Sequence, residues 1–559
     1  MRKLIECVPN FSEGRDRAVI DAITSRVETA DGVKLLDVDP GEATNRTVVT
    51  FVGEPDDVVE AAVRAIATAT ELIDMTGHSG EHPRFGATDV CPLVPVTGIS
   101  MEETAEYARA LGRRLGEELG LTIYCYENAA SSPQRRNLAD VREGEYEGLA
   151  AKLADPDWQP DFGPAEFNER SGATAVGARS FLLAYNVNLN TTSTRRANAI
   201  AFDVRERGRQ KRIGDPLTGQ VELDDAGNEV WIPGSLKNVK AIGWYIDEYG
   251  IAQISMNLTD IEVTPLHVAF DEVVDKAAAR GVRVTGSELV GLVPLDAMLD
   301  AGRHYLRKQR RSTGVADVEL IKIAVKSLGL DELAPFDPRQ KIIEYAIEDH
   351  GDLLVDLSLR SFVEETASES PAPGGGSVSA AMGALGAALA TMVANLSSHK
   401  RGWDDRWEEY SDWAERGKAY HDELLQLVDA DTAAFDQLMA AFGLPSNTAD
   451  AKDTRHQAIQ AATQHAIEVP LQVMETSLAS MDVIEAMAGA GLAASVSDAG
   501  VAALCARSAV MGAYLNVKIN AGQLADKDLA AVYLKRGLAL QEVAVAREAK
   551  ILAEVESRL

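Results

Sequence analysis

The chain has 559 residues, 46% hydrophobic and 25% charged, with 86 acidic against 55 basic side chains and a net charge of −31. That length exceeds what one hydrophobic core sustains, so at least two domains are expected. The mixed composition excludes a disordered chain, and the negative balance excludes nucleic acid as a partner because its phosphates would be repelled.

The first part alternates strand and helix signals. Leu4 to Val8, Val33 to Val38 and Thr47 to Val52 read as strands. CVPNFSEGRD (7–16) leaves the first through Pro9-Asn10; it is a strand-to-helix turn that could also offer backbone donors and Asn10 to a ligand. LLDVDPGEATNRT sets Asp37 and Asp39 at alternate strand positions, hence on one face, either solvated or aimed at a site. Asp56 to Met75 is an amphipathic helix behind Pro55. Next comes GEHPRFGATDVCPLVP (80–95), in which His82 stands between Glu81 and Pro83 with Arg84 following. Pro83 disfavours helix at His82, so the imidazole rides on a constrained loop entering the strand Val90 to Val96. A loop holding His, Glu and Arg suits proton transfer near an anionic group, although a surface loop with a neutral His has the same local sequence. Glu102 to Leu119 is a helix closed by Gly120, and Leu121 to Tyr126 a strand. Paired short strands around single helices, with no GxGxxG loop, favour split βαβ (ferredoxin-like) layers over a dinucleotide-binding sheet.

WQPDFGPAEFNERSGATAVGAR (158–179) lies where a second α/β block begins. It is an interdomain linker or a ligand segment, in which glycines let backbone close on a flat ring and Trp158 or Phe162 could stack. Phe181 to Asn188 then reads as a strand and Thr192 to Arg205 as a helix. Val239 to Ile246 and Ala252 to Met256 are strands, Leu266 to Arg280 a helix, and GSELVGLVP (286–294) leads into a helix from Leu295. Between 208 and 234, Val221-Glu222-Leu223 and Val230-Trp231-Ile232 around DDAGN suggest an inserted β-hairpin.

After Asp331, LAPFDPRQ is a Pro-punctuated linker, and beyond Leu353 strand signals vanish into Ala/Leu/Glu-rich helical spacing. The expected plan is two α/β subdomains, 1–177 and 178–330, a linker over 331–352 and an all-α domain over 353–559. Val378 to Leu396 carries no charge over nearly a bilayer's worth of helix. Its Ala, Gly, Ser and Thr content marks it as a buried helix, so no membrane association is expected. The four cysteines, Cys7, Cys91, Cys125 and Cys505, show no CxxC spacing and imply no disulfide framework. Free thiols, and an N-terminus broken by Pro9 before any signal-peptide core, fit a cytoplasmic protein.

The helical part offers three features. APGGGSVSAA (372–381) is a loop of Gly374, Gly375 and Gly376 feeding a helix N-terminus, able to hold a carboxylate or phosphate but lacking the P-loop lysine. LVDADTAAF puts Asp429 and Asp431 at i and i+2, which diverge on a helix, so one can turn inward. A desolvated Asp has a raised pKa and becomes a possible proton donor. SVSDAGVAAL and GAYLNVKIN add Asp498, Asn516 and Asn520, the last two sharing a face as either a site or a structural polar network.

In order, CVPNFSEGRD, LLDVDPGEATNRT, GEHPRFGATDVCP, REGEYEGL, DFGP, GARSFLLAYNVNL, GWYIDE, GSELVGLVPL, APGGGSVSAAMGALGAALA, LVDADTAAF, SDAGVAA and GAYLNVKIN resemble the bifunctional formimidoyltransferase-cyclodeaminase family, folate enzymes of histidine breakdown. The resemblance spans nearly the whole chain; the 208–234 insertion is its main departure. It implies that the α/β half transfers the formimino group of N-formimino-L-glutamate to N5 of tetrahydrofolate. The helical half would then cyclise the product to 5,10-methenyltetrahydrofolate, releasing ammonia. Carried over through GEHPR, His82 is the family's catalytic position. Gly163 to Gly172 matches its folate segment (Gly163, Pro164 and Gly172), with FNERS departing from the pattern. Asp431 matches its proton donor, with Asp429 the fallback. By chemistry alone, Arg84 is a candidate carboxylate clamp, and Asn10, Asp39, Gly374–Gly376, Asp498 and Asn516 complete the binding candidates. The family implies tetrahydrofolate, polyglutamylated, as co-substrate, no metal, and a homo-oligomer built from dimers. A polyglutamate tail would need cations such as Arg205 to Arg212 or Arg307 to Arg311. Other readings make the helical half a methenyltetrahydrofolate cyclohydrolase or a non-catalytic assembly scaffold.

Overall fold

A computed structural model describes residues 3–42, 45–80, 84–214, 219–347 and 353–559. The chain divides into two compact units: Met1–Met298 with Leu328–Glu348, and Leu299–Ser327 with Asp349–Leu559. They are multidomain α+β and all-α in character, respectively.

The first unit opens with β1 (Leu4–Cys7), β2 (Asn10–Phe11), α1 (Arg17–Glu28), β3 (Val33–Gly41), β4 (Arg46–Gly53), α2 (Pro55–Leu72), β5 (Thr88–Thr97), α3 (Met101–Glu118) and β6 (Thr122–Glu127). Two short helices, α4 (Leu138–Val141) and α5 (Glu145–Ala154), precede β7 (Ala173–Ala178). β1 and β2 both pair with β4 on one side and β5 on the other, so the sheet runs β3, β4, β1/β2, β5, β7, β6. The last three strands are parallel. Helix starts follow local chemistry: Pro55 opens α2, and Ser100 with Glu103 forms a capping box on α3. α1 to α3 cover one face over a core of Ile5, Cys7, Phe51, Ile66, Leu93 and Leu115. On the other face α4 and α5 cover only the β5–β7–β6 side, burying Phe85, Val90, Tyr124 and Leu149.

β7 is a strand the periodicity does not announce. ATAVGA is poor in the bulky residues that favour strands, and its smallness serves packing, since the Tyr126 ring lies where a Cβ on Gly177 would go.

A second layer follows: β8 (Leu183–Leu189), α6 (Thr194–Val204), four two-residue strands, β9 (Arg209–Gln210), β10 (Arg212–Ile213), β11 (Gln220–Val221) and β12 (Trp231–Ile232), then β13 (Val239–Ile246), β14 (Ile251–Leu258), α7 (Leu266–Ala278) and β15 (Val284–Val290). Its main sheet is antiparallel in the order β13, β14, β8, β15. The insertion pairs within itself, β10 with β11 and β9 with β12, while DDAGN makes the turn bridged by Leu223 and Glu229.

The unit division falls inside α8 (Leu295–Lys308) and at the end of α9 (Asp317–Leu328), so this helical hairpin clusters mostly with the second unit. There the buried Thr313 N–H donates to Ser411 Oγ, and Gly314 abuts Ala414. The segment expected as linker is partly folded. α10 (Pro338–Lys341) and α11 (Ile343–Ile347) flank buried Ile342, and on either side of it Val293 N–H donates to Lys341 O and Ile343 N–H donates to Val293 O.

The second unit continues with α12 (Leu359–Thr366), α13 (Gly375–Ser398), α14 (Trp407–Phe442), α15 (Ala449–Ala490), α16 (Val496–Ala521) and α17 (Lys527–Arg558). α13 is long and apolar enough to cross a membrane, yet 61% of its most apolar window is buried inside the bundle. Small residues allow that approach: Gly383 meets Ser477, Gly386 meets the Ala502 carbonyl, and Gly512 meets Ser379.

α15 carries Pro470 in its interior. Proline has no N–H, so the carbonyl of Ala466 loses its helical donor. The Asn520 side-chain amide donates to that carbonyl at 2.7 Å, which gives this asparagine a structural purpose. Replacing Asn520 with Leu therefore strands the carbonyl, and we expect a loss of about 1–3 kcal/mol, read as a lower thermal unfolding midpoint of the helical unit.

Candidate active sites

In the first unit the open part of the sheet face is built by register. Asp39 pairs with Val48, Val48 with Asn10, and Asn10 with Val90, so this row of side chains shares one side. Asp39 lies exposed on the edge strand, and burial beside it pushes the Asp37 carboxyl up. Asn10 is buried; its amide donates to Val8 O at 2.9 Å, and its Oδ1 accepts from Arg46 Nε at 3.1 Å. Arg46 Nη1 also reaches Asp89 Oδ2 at 2.7 Å, and Arg142 pairs with the same oxygen. Burial pushes Arg46 down to about 10 against the pull of Asp89.

His82 lies outside the described residues, together with Glu81 and Pro83. The segments on either side of it are tied to the Asn10 loop. Asn45 Oδ1 accepts from Gly14 N–H at 3.0 Å, its amide donates to Ser79 O at 3.1 Å, and its carbonyl meets His78 Nε2 at 2.9 Å. Thus the turn after β1, the corner between β3 and β4, and the approach to His82 converge. Arg84 is less available than its sequence position suggests. It pairs with Glu147, donates to His78 O and lies over the Tyr146 ring at 5.4 Å.

The glycines of the 158–179 segment work as packing contacts. Gly163 has φ +80° and stands where any Cβ would strike Leu121 O; Pro164 O accepts from Thr122 Oγ1 at 2.9 Å. Gly172, at φ +64°, bridges to Gly86 with no room for a side chain on either residue. Phe162 packs against Gly112 and Gly116, and Trp158 sits between Tyr124, Arg135 and Lys152. Both rings are engaged internally, so neither stands open for stacking on a ligand.

Sequence reasoning missed Arg46, Asp89 and Arg142, although all three lie inside motifs it singled out. It also missed Glu6 on β1, a buried carboxyl that desolvation raises to about 7 despite Arg179.

In the second unit the structure separates the two acids of LVDADTAAF. Asp429 accepts from Leu354 N–H at 2.7 Å and Val355 N–H at 3.4 Å, securing the turn before α12. Asp431 turns to the glycine loop, where its Oδ2 accepts from Ser377 N–H at 2.9 Å and Ser377 Oγ at 3.2 Å. Gly376 must lack a side chain, because a Cβ would collide with the Asp431 carboxylate. Gly374 caps α13, and a Cβ on Gly375 would meet the Asn516 amide at 3.2 Å. Asp431, Gly374–Gly376, Ser377 and Asn516 therefore form one cluster, and the protein's own carboxylate occupies the helix N-terminus. Burial raises the Asp431 pKa, while the Ser377 hydrogen bonds work against that rise. Asp498 is not part of the cluster: 18 residues separate it from Asn516 on α16, about 27 Å at 1.5 Å per residue. Among the described residues, no group of three or more His, Cys, Asp or Glu side chains is arranged to hold a metal ion.

Comparison with known proteins matches three successive stretches of the chain. Residues 4–179 match the family described as "Formiminotransferase domain, N-terminal subdomain", 184–348 "Formiminotransferase domain", and 358–537 "Formiminotransferase-cyclodeaminase". A formimidoyltransferase-cyclodeaminase of Mus musculus is 44% identical across 100% of both chains. A glutamate formimidoyltransferase of Streptococcus pyogenes serotype M1 is 41% identical over 55% of this chain and 94% of its own. A methenyltetrahydrofolate cyclohydrolase of Methylorubrum extorquens is 35% identical over 36% of this chain and 97% of its own.

Proposed function

The chain belongs to the formiminotransferase-cyclodeaminase family, and from that premise we propose that it is a glutamate formimidoyltransferase and formimidoyltetrahydrofolate cyclodeaminase of histidine degradation. The observation that carries this reading is the presence of both halves in one chain, aligned end to end with a bifunctional relative.

In the first reaction N5 of tetrahydrofolate attacks the amidine carbon of N-formimino-L-glutamate, forming a tetrahedral intermediate. His82 takes the N5 proton and returns one to the departing glutamate nitrogen, work suited to a group titrating near neutral pH. In the second, N10 attacks the same carbon within one molecule, so proximity supplies much of the rate. Asp431 protonates the leaving amine, which departs as ammonia as the methenyl bridge closes. Its raised pKa and its seat against the glycine loop support the role over Asp429, which caps a turn.

Other parts of the reading extend this one. The β-α-β-β-α-β order of both layers, with the strand orders given above, supports a ferredoxin-like description of each. Exposed Leu385, Met392 and Leu396 on α13, and Val501, Leu504, Leu515 and Ile519 on α16, support a homo-oligomer covering those faces. We read the folate as polyglutamylated and the protein as cytoplasmic, with free cysteines that suit a reducing compartment.

Similarity of the helical half to a cyclohydrolase keeps a second reading in play, in which it hydrolyses the methenyl bridge instead. Supplying purified protein with 5-formiminotetrahydrofolate separates them. Ammonia release with rising methenylfolate absorbance is expected. No ammonia, with hydrolysis of supplied 5,10-methenyltetrahydrofolate, would assign the cyclohydrolase.

A further inference from the structure

The two oxygens of the Asp431 carboxyl have unlike surroundings. Oδ2 receives both donors of Ser377, the backbone N–H at 2.9 Å and the hydroxyl at 3.2 Å. Oδ1 lies over the α-carbon of Gly376, where there is no room for a Cβ. It accepts no hydrogen bond among the described residues, and it is not one of their buried unpartnered atoms.

This asymmetry has a chemical consequence. A backbone N–H can only donate, so the carboxyl oxygen that faces it cannot itself carry a proton. The Ser377 hydroxyl is committed in the same direction. Its oxygen lies 3.3 Å from Thr432 Oγ1, and with its own proton given to Asp431 it can only accept there, so Thr432 donates. The run from Thr432 through Ser377 to Oδ2 therefore suits both protonation states of the acid, because Oδ2 is an acceptor in each. Ser377 is fully buried in the first turn of α13. Ser379 Oγ donates to Gly375 O at 2.6 Å, so the loop that aims these donors is itself tied down.

Among the described residues, no charged side chain competes with Ser377 for this carboxyl. Burial raises its pKa, and the two Ser377 bonds oppose the rise. α13 has no charged residue between Gly375 and Ser398. Asp429 on α14 is engaged by Leu354 and Val355, and Lys518 on α16 lies over the Tyr514 ring at 4.7 Å. On α15, Glu468 is bonded by Tyr533 and Gln464 and also feels His465.

We infer that Ser377 is a positioning residue for cyclisation, holding Oδ2 as a permanent acceptor so that Oδ1 alone carries the proton given to the leaving amine. This rests on the cyclodeaminase reading above. The bond from N10 to the formimino carbon forms and that from the carbon to the imino nitrogen breaks, its electron pair leaving with the nitrogen. The imino hydrogen, the N10 hydrogen and the Oδ1 proton make that nitrogen ammonia, and water reprotonates the carboxylate.

The test is the pH profile of ammonia release from supplied 5-formiminotetrahydrofolate by the full chain carrying Ser377→Ala, Ser377→Thr or Thr432→Val. The alanine variant loses one of the two donors that favour the ionised form. Its declining limb should move to higher pH by about one unit, and its rate below the limb should fall. Ser377→Thr keeps the hydroxyl and should return the limb to the wild-type position. Thr432→Val leaves Ser377 in place but withdraws the donor behind it. It should move the limb the same way by less, and it stands in where the alanine variant does not fold. A loss of rate equal at every pH, with the limb unmoved, would make Ser377 a structural residue and overturn the inference. So would a threonine variant no closer to wild type than alanine. Absence of ammonia release by the wild-type chain at any pH would instead refute the functional reading on which it stands.

Discussion

Replacing Asp431 with asparagine is expected to abolish ammonia release from 5-formiminotetrahydrofolate while formimino transfer continues at its wild-type rate. A positioned general acid contributes about 10²- to 10⁴-fold, so a loss of that size is predicted in the cyclisation rate alone. Asparagine can still accept the hydrogen bonds that Ser377 N–H and Oγ give to Oδ2, and it fits the space left by Gly376. What disappears is the proton. The pH dependence carries a sign. Burial raises the Asp431 pKa above its unfolded value, so the acid form persists to higher pH in the folded protein. Cyclisation should decline as pH rises through that folded value. The stability linked to this group is fully present below the unfolded pKa and is lost over the same rise. Above that folded value the asparagine variant, free of a desolvated charge, should unfold no earlier than the wild type in a thermal melt. Asp429→Asn should act differently. It weakens the acceptor for Leu354 and Val355 N–H and should reduce stability more than the rate of cyclisation.

His82→Ala is expected to give the reciprocal result. Transfer from formiminoglutamate should fall about 10²- to 10⁴-fold, and cyclisation of supplied 5-formiminotetrahydrofolate should be unchanged. Other residues anchor the chain on either side of this position: Asn45 binds Ser79 and His78, and Gly86 bridges to Gly172. The substitution should therefore leave the neighbouring backbone in place. If both variants lost both activities while remaining folded, the assignment of one reaction to each unit would be wrong.

Much of the plan was legible from the residues, and its failures have physical causes. Strong alternation and capping signals foretold β4, β13 and α3. β7 escaped because an Ala-rich strand is held by its neighbours, its small size being what Tyr126 requires. The two acids of α14 illustrate the limit of spacing. Their divergence is a property of the helix, but which one turns to the glycine loop depends on Leu354 and Ser377, 75 and 54 residues away from their acid partners. Arg84 looked available because it follows His82 by two positions, yet Glu147, 63 residues on, engages it. The Arg46–Asp89–Arg142 cluster draws on three separated segments, and nothing in any one of them reveals that its charge is buried. Asn516 and Asn520 share a helical face but divide their tasks, the first lying by the glycine loop and the second serving the carbonyl that Pro470 frees.

The most direct test of two separate chemical sites on one chain is to mix the His82→Ala and Asp431→Asn proteins. Each alone should fail to convert formiminoglutamate and tetrahydrofolate to methenylfolate. Together they should release ammonia and methenylfolate in equal amounts after a lag, because the intermediate made by the Asp431 variant can be cyclised by the His82 variant. A mixture as inactive as its components, with both proteins folded and each competent in its own half-reaction, would contradict the account.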